Sequence, residues 1–285
     1  VFGPEAGRVL GLVALVALIW TCPQSTRAET VVLRLDGLTS APFAPVEGAP
    51  QVIVQRPSEP SERVDVVLYL HGYEGCIEVL ASREPRPCRA GMLPLAGWDL
   101  LGAHRESETT TWFVLVQLAF MERSGRPGTF MREGQAARFI EEVLARVAQE
   151  RREARSTLRS LTLAAHSAAF ETTIAVLRYG GLGARLTGVL LLDAMYSGGP
   201  VFLRWARDGA TNTLVALATP GGTTAARAQA LRPSAERARS RVIFGDGRRI
   251  ADITPGSIAL LTVRGPHRDV PRPYLPELLR RLFPR

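Results

Sequence analysis

Hydrophobic and polar positions along this chain fall into two alternating periods. Short apolar runs occur at Val31 to Leu35, Val52 to Gln55, Val64 to Leu70, Trp112 to Leu118, Leu161 to Ala165, Val189 to Leu192, Leu214 to Thr219 and Ile258 to Val263. Such near-continuous runs suit strands buried on both faces of a sheet. Arg241 to Phe244 reads as a short extra strand. Between the runs, Ala136, Phe139, Ile140, Val143, Leu144 and Val147 recur at helical spacing and predict an amphipathic helix. Phe170, Ile174 and Leu177 predict a second helix, ending at Gly180 and Gly181. Ala225 to Leu231 looks helical, and Leu275, Leu278, Leu279 and Leu282 predict a closing helix. Pro42, Pro45 and Pro50 mark a loop, Ser58 to Ser61 another, and residues 122–134 a third. The Pro- and Gly-punctuated stretch from Cys76 to Thr111 has room for a short helix or two. Ala194 to Asn212 reads as a short connecting segment.

Strands alternating with helices imply an α/β fold, a mostly parallel doubly wound sheet with helices on both faces. In open parallel sheets the ligand site lies beyond the carboxyl ends of the strands. The polar residues expected at those ends are His71 with Gly72, then Ser167, Asp193 and His267. Ser167 stands where a strand gives way at once to a helix, among Ala164, Ala165, Ala168 and Ala169. Such a corner holds a serine in a strained, exposed pose, and small neighbours let the two backbones approach. A turn serine capping a helix is the plainer reading of the same residue.

Composition changes this picture in three places. First, Arg8 precedes an apolar run from Val9 to Trp20, and Thr26 and Ala28 supply small residues at signal-peptidase spacing. Residues 1–28 therefore read as a secretory signal peptide, leaving residues 29–285 as a single domain. The run is short of the ~20 residues of a membrane span, so no stable span is expected after cleavage. A secreted or periplasmic protein is expected; a lipoprotein anchored at Cys22, or an uncleaved anchor, is the alternative. Second, export leaves Cys76 and Cys88 as an even pair in an oxidising compartment, so a disulfide between them is expected. Third, the formal charge is +8, but all basic residues are arginine, spread along the chain and mixed with Asp and Glu. The densest group, Arg151, Arg152, Arg155 and Arg159, lies around a helix end, where cations suit the dipole. No nucleic-acid motif accompanies them, so a solvated face and no nucleic-acid partner are expected.

After the leader, the chain resembles the α/β-hydrolase superfamily along nearly all its length, as a secreted bacterial type. The resemblance rests on His71-Gly72 after one strand, Ala165-His166-Ser167-Ala168-Ala169 at the corner, Asp193 after a later strand and His267 after the last. The superfamily carries nucleophile, acid and histidine in that order. Two alanines stand where its G-x-S-x-G pattern has glycine, and Asp193 follows the strand before the usual acid position. The usual position, Thr219 to Thr223, holds no carboxylate; Asp246, Asp252 and Asp269 are the rivals to Asp193. The resemblance implies a serine hydrolase with Ser167 as nucleophile, His267 as base and Asp193 orienting the histidine. It implies an oxyanion hole from the backbone N–H groups of Tyr73 and Ala168. His166 is read as a packing and hydrogen-bonding residue and His104 as a surface one.

The reaction implied is cleavage of an ester, or amide, through an acyl-enzyme. No cofactor and no metal is expected. Tyr73, Glu74 and Tyr196 are expected to contact substrate; Tyr196, Phe202 and Trp205 read equally as one apolar wall of the site or as ordinary packing. The short link after Asp193 leaves little or no room for a cap domain, which suggests an open site suited to a large or surface-bound substrate; the partner expected is a small-molecule or polymeric acyl substrate. Esterase, lipase, amidase and secreted acyltransferase all remain open, as does a non-catalytic hydrolase-like binding protein of the cell envelope. Substrate identity and oligomeric state are not legible.

Overall fold

A computed structural model describes residues 30–238 and 241–284. The leader expected over residues 1–28, with Cys22, lies outside the described residues. The chain opens with β1 (Thr30–Leu35), β2 (Val52–Pro57) and β3 (Arg63–Leu70), then two short helices, α1 (Ile77–Ala81) and α2 (Leu100–Ser107). Next come β4 (Trp112–Val116), α3 (Gln135–Arg151), β5 (Thr157–His166), α4 (Phe170–Tyr179) and β6 (Leu186–Leu192). The chain continues with α5 (Gly199–Asp208), β7 (Thr213–Ala218), α6 (Thr223–Ala238), β8 (Val242–Asp246), β9 (Ile258–Thr262) and α7 (Pro271–Leu282).

The strands form one nine-stranded sheet in the order β1-β2-β4-β3-β5-β6-β7-β9-β8. β1 is antiparallel to β2 and β2 to β4; every other neighbouring pair is parallel. This is the mostly parallel, doubly wound α/β sheet with helices on both faces that the sequence predicts. Only α5 intervenes between β6 and β7, so no cap domain is inserted there.

The period of two along each strand decides which residues meet which layer. In β3, Val66, Leu68 and Leu70 join one core, while Val67 and Tyr69 join the other. In β6, Val189 and Leu191 face the first core and Leu190 and Leu192 the second. The first core is closed by α3, through Phe139, Ile140, Val143 and Leu144, and by residues of α4, α5 and α6. The second is closed by Ile77 and Leu80 of α1, Leu100 of α2, and Leu275, Leu278 and Leu279 of α7. Burial on both sides explains the apolar runs, because a polar side chain on either face would be stranded without a partner.

Three expectations are corrected here. The segment Ala194 to Asn212 is not a plain connection: it carries α5, with Phe202 and Leu203 in the first core. Phe202 is fully buried and Trp205 packs against the same core, so neither forms a wall of an open site. His104 is not on the surface. It is 3% exposed, stacked on Phe113 at 5.1 Å, and hydrogen-bonded to Gln55 at 2.8 Å and Thr111 at 3.0 Å. Its place on α2 puts it on the face turned to the sheet, where Gln55 of β2 and Thr111, just before β4, satisfy the lone polar ring.

The arginine group lies among carboxylates. Arg155 pairs with Glu141 at 2.6 Å, Arg151 with Glu153 at 3.5 Å, and Arg159 binds Asp65.

Candidate active site

The site is built at the carboxyl ends of β3, β5, β6 and β9. Strand β5 ends at His166, and Ser167 follows with φ of +56°, in the left-handed region that non-glycine residues seldom occupy. A single tight turn, Ser167–Ala169, then feeds α4. Ala165 and Ala169 are both completely buried, so the corner has room for methyl groups and little else. Ser167 itself is partly exposed. Its side chain lies against Gly72, where an added Cβ would fall 2.6 Å from Ser167 Cβ and 3.1 Å from Oγ. Only glycine fits that approach. Among the described residues the Ser167 hydroxyl has no hydrogen-bond partner.

Asp193 follows β6, also with positive φ, at +50°, and is 1% exposed. Its Oδ1 accepts the Thr219 N–H at 3.1 Å and the Thr224 hydroxyl. Its Oδ2 accepts the Thr219 hydroxyl at 2.8 Å and His267 Nδ1–H at 2.7 Å. Burial pushes this carboxyl up, but the hydrogen bonds from His267, Thr224 and Thr219 outweigh it and hold it down at about 2. The segment after β7 thus holds no acid of its own; it supplies the donors that keep Asp193 charged. Asp246 is engaged by Arg248 at 2.6 Å, and Asp252 by Arg249.

His267 lies in the turn between β9 and α7. Because a carboxylate only accepts, the bond to Asp193 fixes the proton on Nδ1 and leaves the Nε2 lone pair open. His166 lies behind it, with ring centroids 4.6 Å apart, and its Nε2–H donates to the His267 carbonyl at 3.0 Å. Burial holds His166 neutral, with His267 acting in the same direction, down to about 3. His166 is therefore a packing and hydrogen-bonding residue that fixes the His267 backbone.

The loop after β3 is fixed by a second buried imidazole. His71 Nε2 accepts the Leu118 N–H at 2.9 Å, so its proton must sit on Nδ1, which donates to the Gly72 carbonyl at 2.8 Å. Burial lowers His71 to about 4, although its bond to Gly72 opposes the shift. Gln117, just beyond β4, accepts the Ile77 N–H at 3.1 Å and sets its amide nitrogen 2.9 Å from His71 Nε2. Gly75 packs against the His71 ring, where a Cβ would fall 2.1 Å from Nδ1. Tyr73 is 53% exposed, and its backbone N–H donates to no other described group. Glu74 carries a φ of +53° and pairs with the exposed Arg123 at 2.6 Å.

Gly72, Ser167, His166 and His267 line one cavity of about 550 Å³. Tyr73 and Glu74 line it as well, and Val79, Leu80, Leu95, Trp98 and Met121 make it largely apolar. Cys76 and Cys88 are bridged, and the disulfide forms part of its wall. Tyr196 is not among the lining residues; its ring meets His267 edge-on at 6.2 Å and Phe170 at 6.0 Å. Among the described residues, no group of three or more His, Cys, Asp or Glu side chains could hold a metal ion.

No protein-family model matches the chain, and no curated protein matches it in sequence. Solved structures do resemble it. An S-formylglutathione hydrolase from Agrobacterium tumefaciens is 12% identical, with 89% of this chain and 94% of that one covered, at a TM-score of 0.47. Esterase B from Lactobacillus rhamnosis is 9% identical, with 82% and 75% covered, at a TM-score of 0.44. These likenesses assign no role to any residue.

Sequence reasoning named the residues at the strand ends but missed the groups that position them. Thr219, Thr224 and Gln117 are neutral side chains of common types. Only their contacts with a charged or buried partner distinguish them. No helix among the described residues is long and apolar enough to cross a membrane.

Proposed function

We propose that the protein is a serine hydrolase that cleaves an ester bond through an acyl-enzyme. In this reading, His267 Nε2 takes the proton of Ser167 Oγ as Oγ bonds to the ester carbonyl carbon. The carbonyl oxygen becomes an oxyanion facing the N–H groups of Tyr73 and Ala168. Asp193 stabilises the imidazolium through the Nδ1 bond. The intermediate collapses, the alcohol leaves with the proton from His267, and the acyl group stays on Ser167. Water, deprotonated by the same histidine, then releases the acid and restores the serine. The observation that carries this reading is the 2.7 Å bond from His267 to an Asp193 carboxylate that three further donor groups hold charged. An aspartate so buried and so fully satisfied is costly to build unless it serves a partner.

The Ser167 hydroxyl makes no bond to His267 in this structure, which also suits a binding protein that retains the fold without turnover. Serine–histidine contacts in unliganded sites are often loose and tighten only around substrate, so the geometry is compatible with catalysis. A secreted acyltransferase would use the same acyl-enzyme, with an alcohol in place of water. Export behind a leader at residues 1–28, as one catalytic domain over residues 29–285, completes the proposal; the Cys76–Cys88 disulfide supports it.

The experiment is turnover of 4-nitrophenyl esters of short and long acyl chains by the parent and by Ser167→Ala. Turnover reduced by on the order of 10³-fold or more in the variant supports the reading. Undiminished turnover in Ser167→Ala contradicts the nucleophile. Absence of turnover on every ester favours the binding protein.

A further inference from the structure

Two charged side chains line the cavity, and they differ in what faces them. Glu74 is answered by Arg123 at 2.6 Å. Arg268, the residue after His267, has no carboxylate partner among the described residues. It is nevertheless fixed: its guanidinium lies over the Trp98 ring, 5.5 Å from the centroid, and Nη2 donates to the Ala96 carbonyl at 2.8 Å. Both anchors belong to the segment beyond the disulfide, and all three residues line the cavity. Many arginines of this protein meet an acid, as Arg272 does with Asp99 and Glu106; Arg138 and Arg146, like Arg268, are held by neutral oxygens, but neither lines the cavity. Arg268 is held by a ring face and a backbone oxygen, which orient the guanidinium without neutralising it.

We infer that Arg268 is an anion anchor, and that the ester taken by this site carries an anionic group, a carboxylate or a phosphate-like group. The physical basis is a fixed planar fork, with N–H donors left over, at the edge of an otherwise apolar cavity. An anionic substrate supplies the charge that the protein withholds. The apolar walls at Val79, Leu80, Leu95 and Met121 take the chain between the anion and the ester. The reaction rests on the hydrolase reading of this same site, but the binding of the anion does not.

The test is calorimetric binding to the Ser167→Ala protein, which cannot turn ligand over. Monomethyl glutarate and methyl 4-phosphonobutyrate supply the two kinds of anion, and dimethyl glutarate is the neutral control. At low salt at least one anionic ester should bind about fivefold more tightly than the diester, as suits a charge pair with an exposed arginine. The ratio of the two anions tells carboxylate from phosphate-like substrates. The advantage should shrink as salt rises. It should vanish in Arg268→Gln and persist in part in Arg268→Lys, which keeps the charge and loses the fork. Equal binding of all three esters, or an advantage that survives in Arg268→Gln, overturns the inference. Turnover of neutral 4-nitrophenyl butyrate by the unaltered protein tests the hydrolase reading separately. An Arg268-dependent anion advantage without that turnover leaves the anchor standing and removes the hydrolase; turnover without an anion advantage does the reverse.

Discussion

Gly72 and Ser167 are in such close contact that a single methyl group cannot be placed between them. A Cβ on Gly72 would fall 2.6 Å from Ser167 Cβ and 3.1 Å from the His166 carbonyl oxygen. The loop after β3 and the corner after β5 are therefore one unit, joined side by side through the parallel pairing of Leu70 with Ala165. The constraint is local, since neither residue supports the cores on either face of the sheet. Gly72→Ala should leave the thermal unfolding midpoint within a few degrees of the parent while cutting kcat by about 10²-fold, because displacements of this size near reacting atoms cost that much. Equal activity in Gly72→Ala, measured on the same 4-nitrophenyl ester, would show that the contact has no bearing on the reaction.

Asp193 gives the second prediction. Its charge is maintained by Thr219 and Thr224 as well as by His267. Asp193→Asn should lower kcat by on the order of 10³- to 10⁴-fold, by offering His267 Nδ1 the wrong partner and tautomer. Thr224→Val removes one hydroxyl donor to the carboxylate and keeps the side-chain shape. Hydrogen bonds to charged groups contribute about 1.5–3 kcal/mol, so a loss of roughly tenfold or more in kcat with little change in KM is expected. Steady-state kinetics on the three proteins decide it; a Thr224→Val effect confined to KM would mean the threonine acts elsewhere.

Three histidines govern the response to acid. His71 and His104 are lowered to about 4 and His166 to about 3, in each case chiefly by burial. A group whose folded pKa lies below its unfolded value, about 6.5 for histidine, binds more protons when unfolded. Stability is therefore fully present above pH 6.5 and falls as pH drops from there towards 4. Each histidine contributes a slope of up to about 1.4 kcal/mol per pH unit inside that window. Asp193 adds its own loss only lower, between about pH 4, near its unfolded value, and about 2. Urea midpoints measured from pH 8 to pH 4 should decline mainly below 6.5, and His104→Gln should flatten the decline. A midpoint independent of pH across that range would contradict buried neutral histidines.

The disulfide yields a prediction about the cavity. Cys76 and Cys88 are twelve positions apart, and their bridge ties the excursion that carries Leu95, Ala96 and Trp98 to the start of α1. On loop-closure entropy a bridge of this span stabilises by about 3 kcal/mol. Cys76→Ser with Cys88→Ser should lower stability by roughly that amount in chemical denaturation and raise KM more than it lowers kcat. The reason is that the cavity wall loosens while Ser167, Asp193 and His267 stay on the sheet. Unchanged KM with unchanged stability would show the excursion holds itself in place.

How much of this was legible depended on contrast within each segment. Ser167, Asp193 and His267 stand at the ends of strands buried on both faces, so one polar residue after an apolar run is conspicuous. The mostly parallel pairing of the strands followed from the alternation with helices such as α3. Helix α5 opens on Gly199 and Pro200, residues that more often mark turns, although proline is welcome in a first turn. His104 was misplaced because its satisfaction depends on Gln55 and Thr111, which reach it from other elements. Thr219, Thr224, Gln117 and the Trp98 platform under Arg268 share that property. Each owes its role to a partner distant in sequence, and no local pattern records such a meeting.

The central claim is that Ser167 is a nucleophile activated by His267. Covalent labelling with a fluorophosphonate, followed by peptide mapping by mass spectrometry, tests it without knowledge of the substrate. The account predicts one adduct per chain, on Ser167, formed slowly or not at all in His267→Ala and absent in Ser167→Ala. Folded parent protein that takes up no label, or an adduct mapped to another serine, would contradict it.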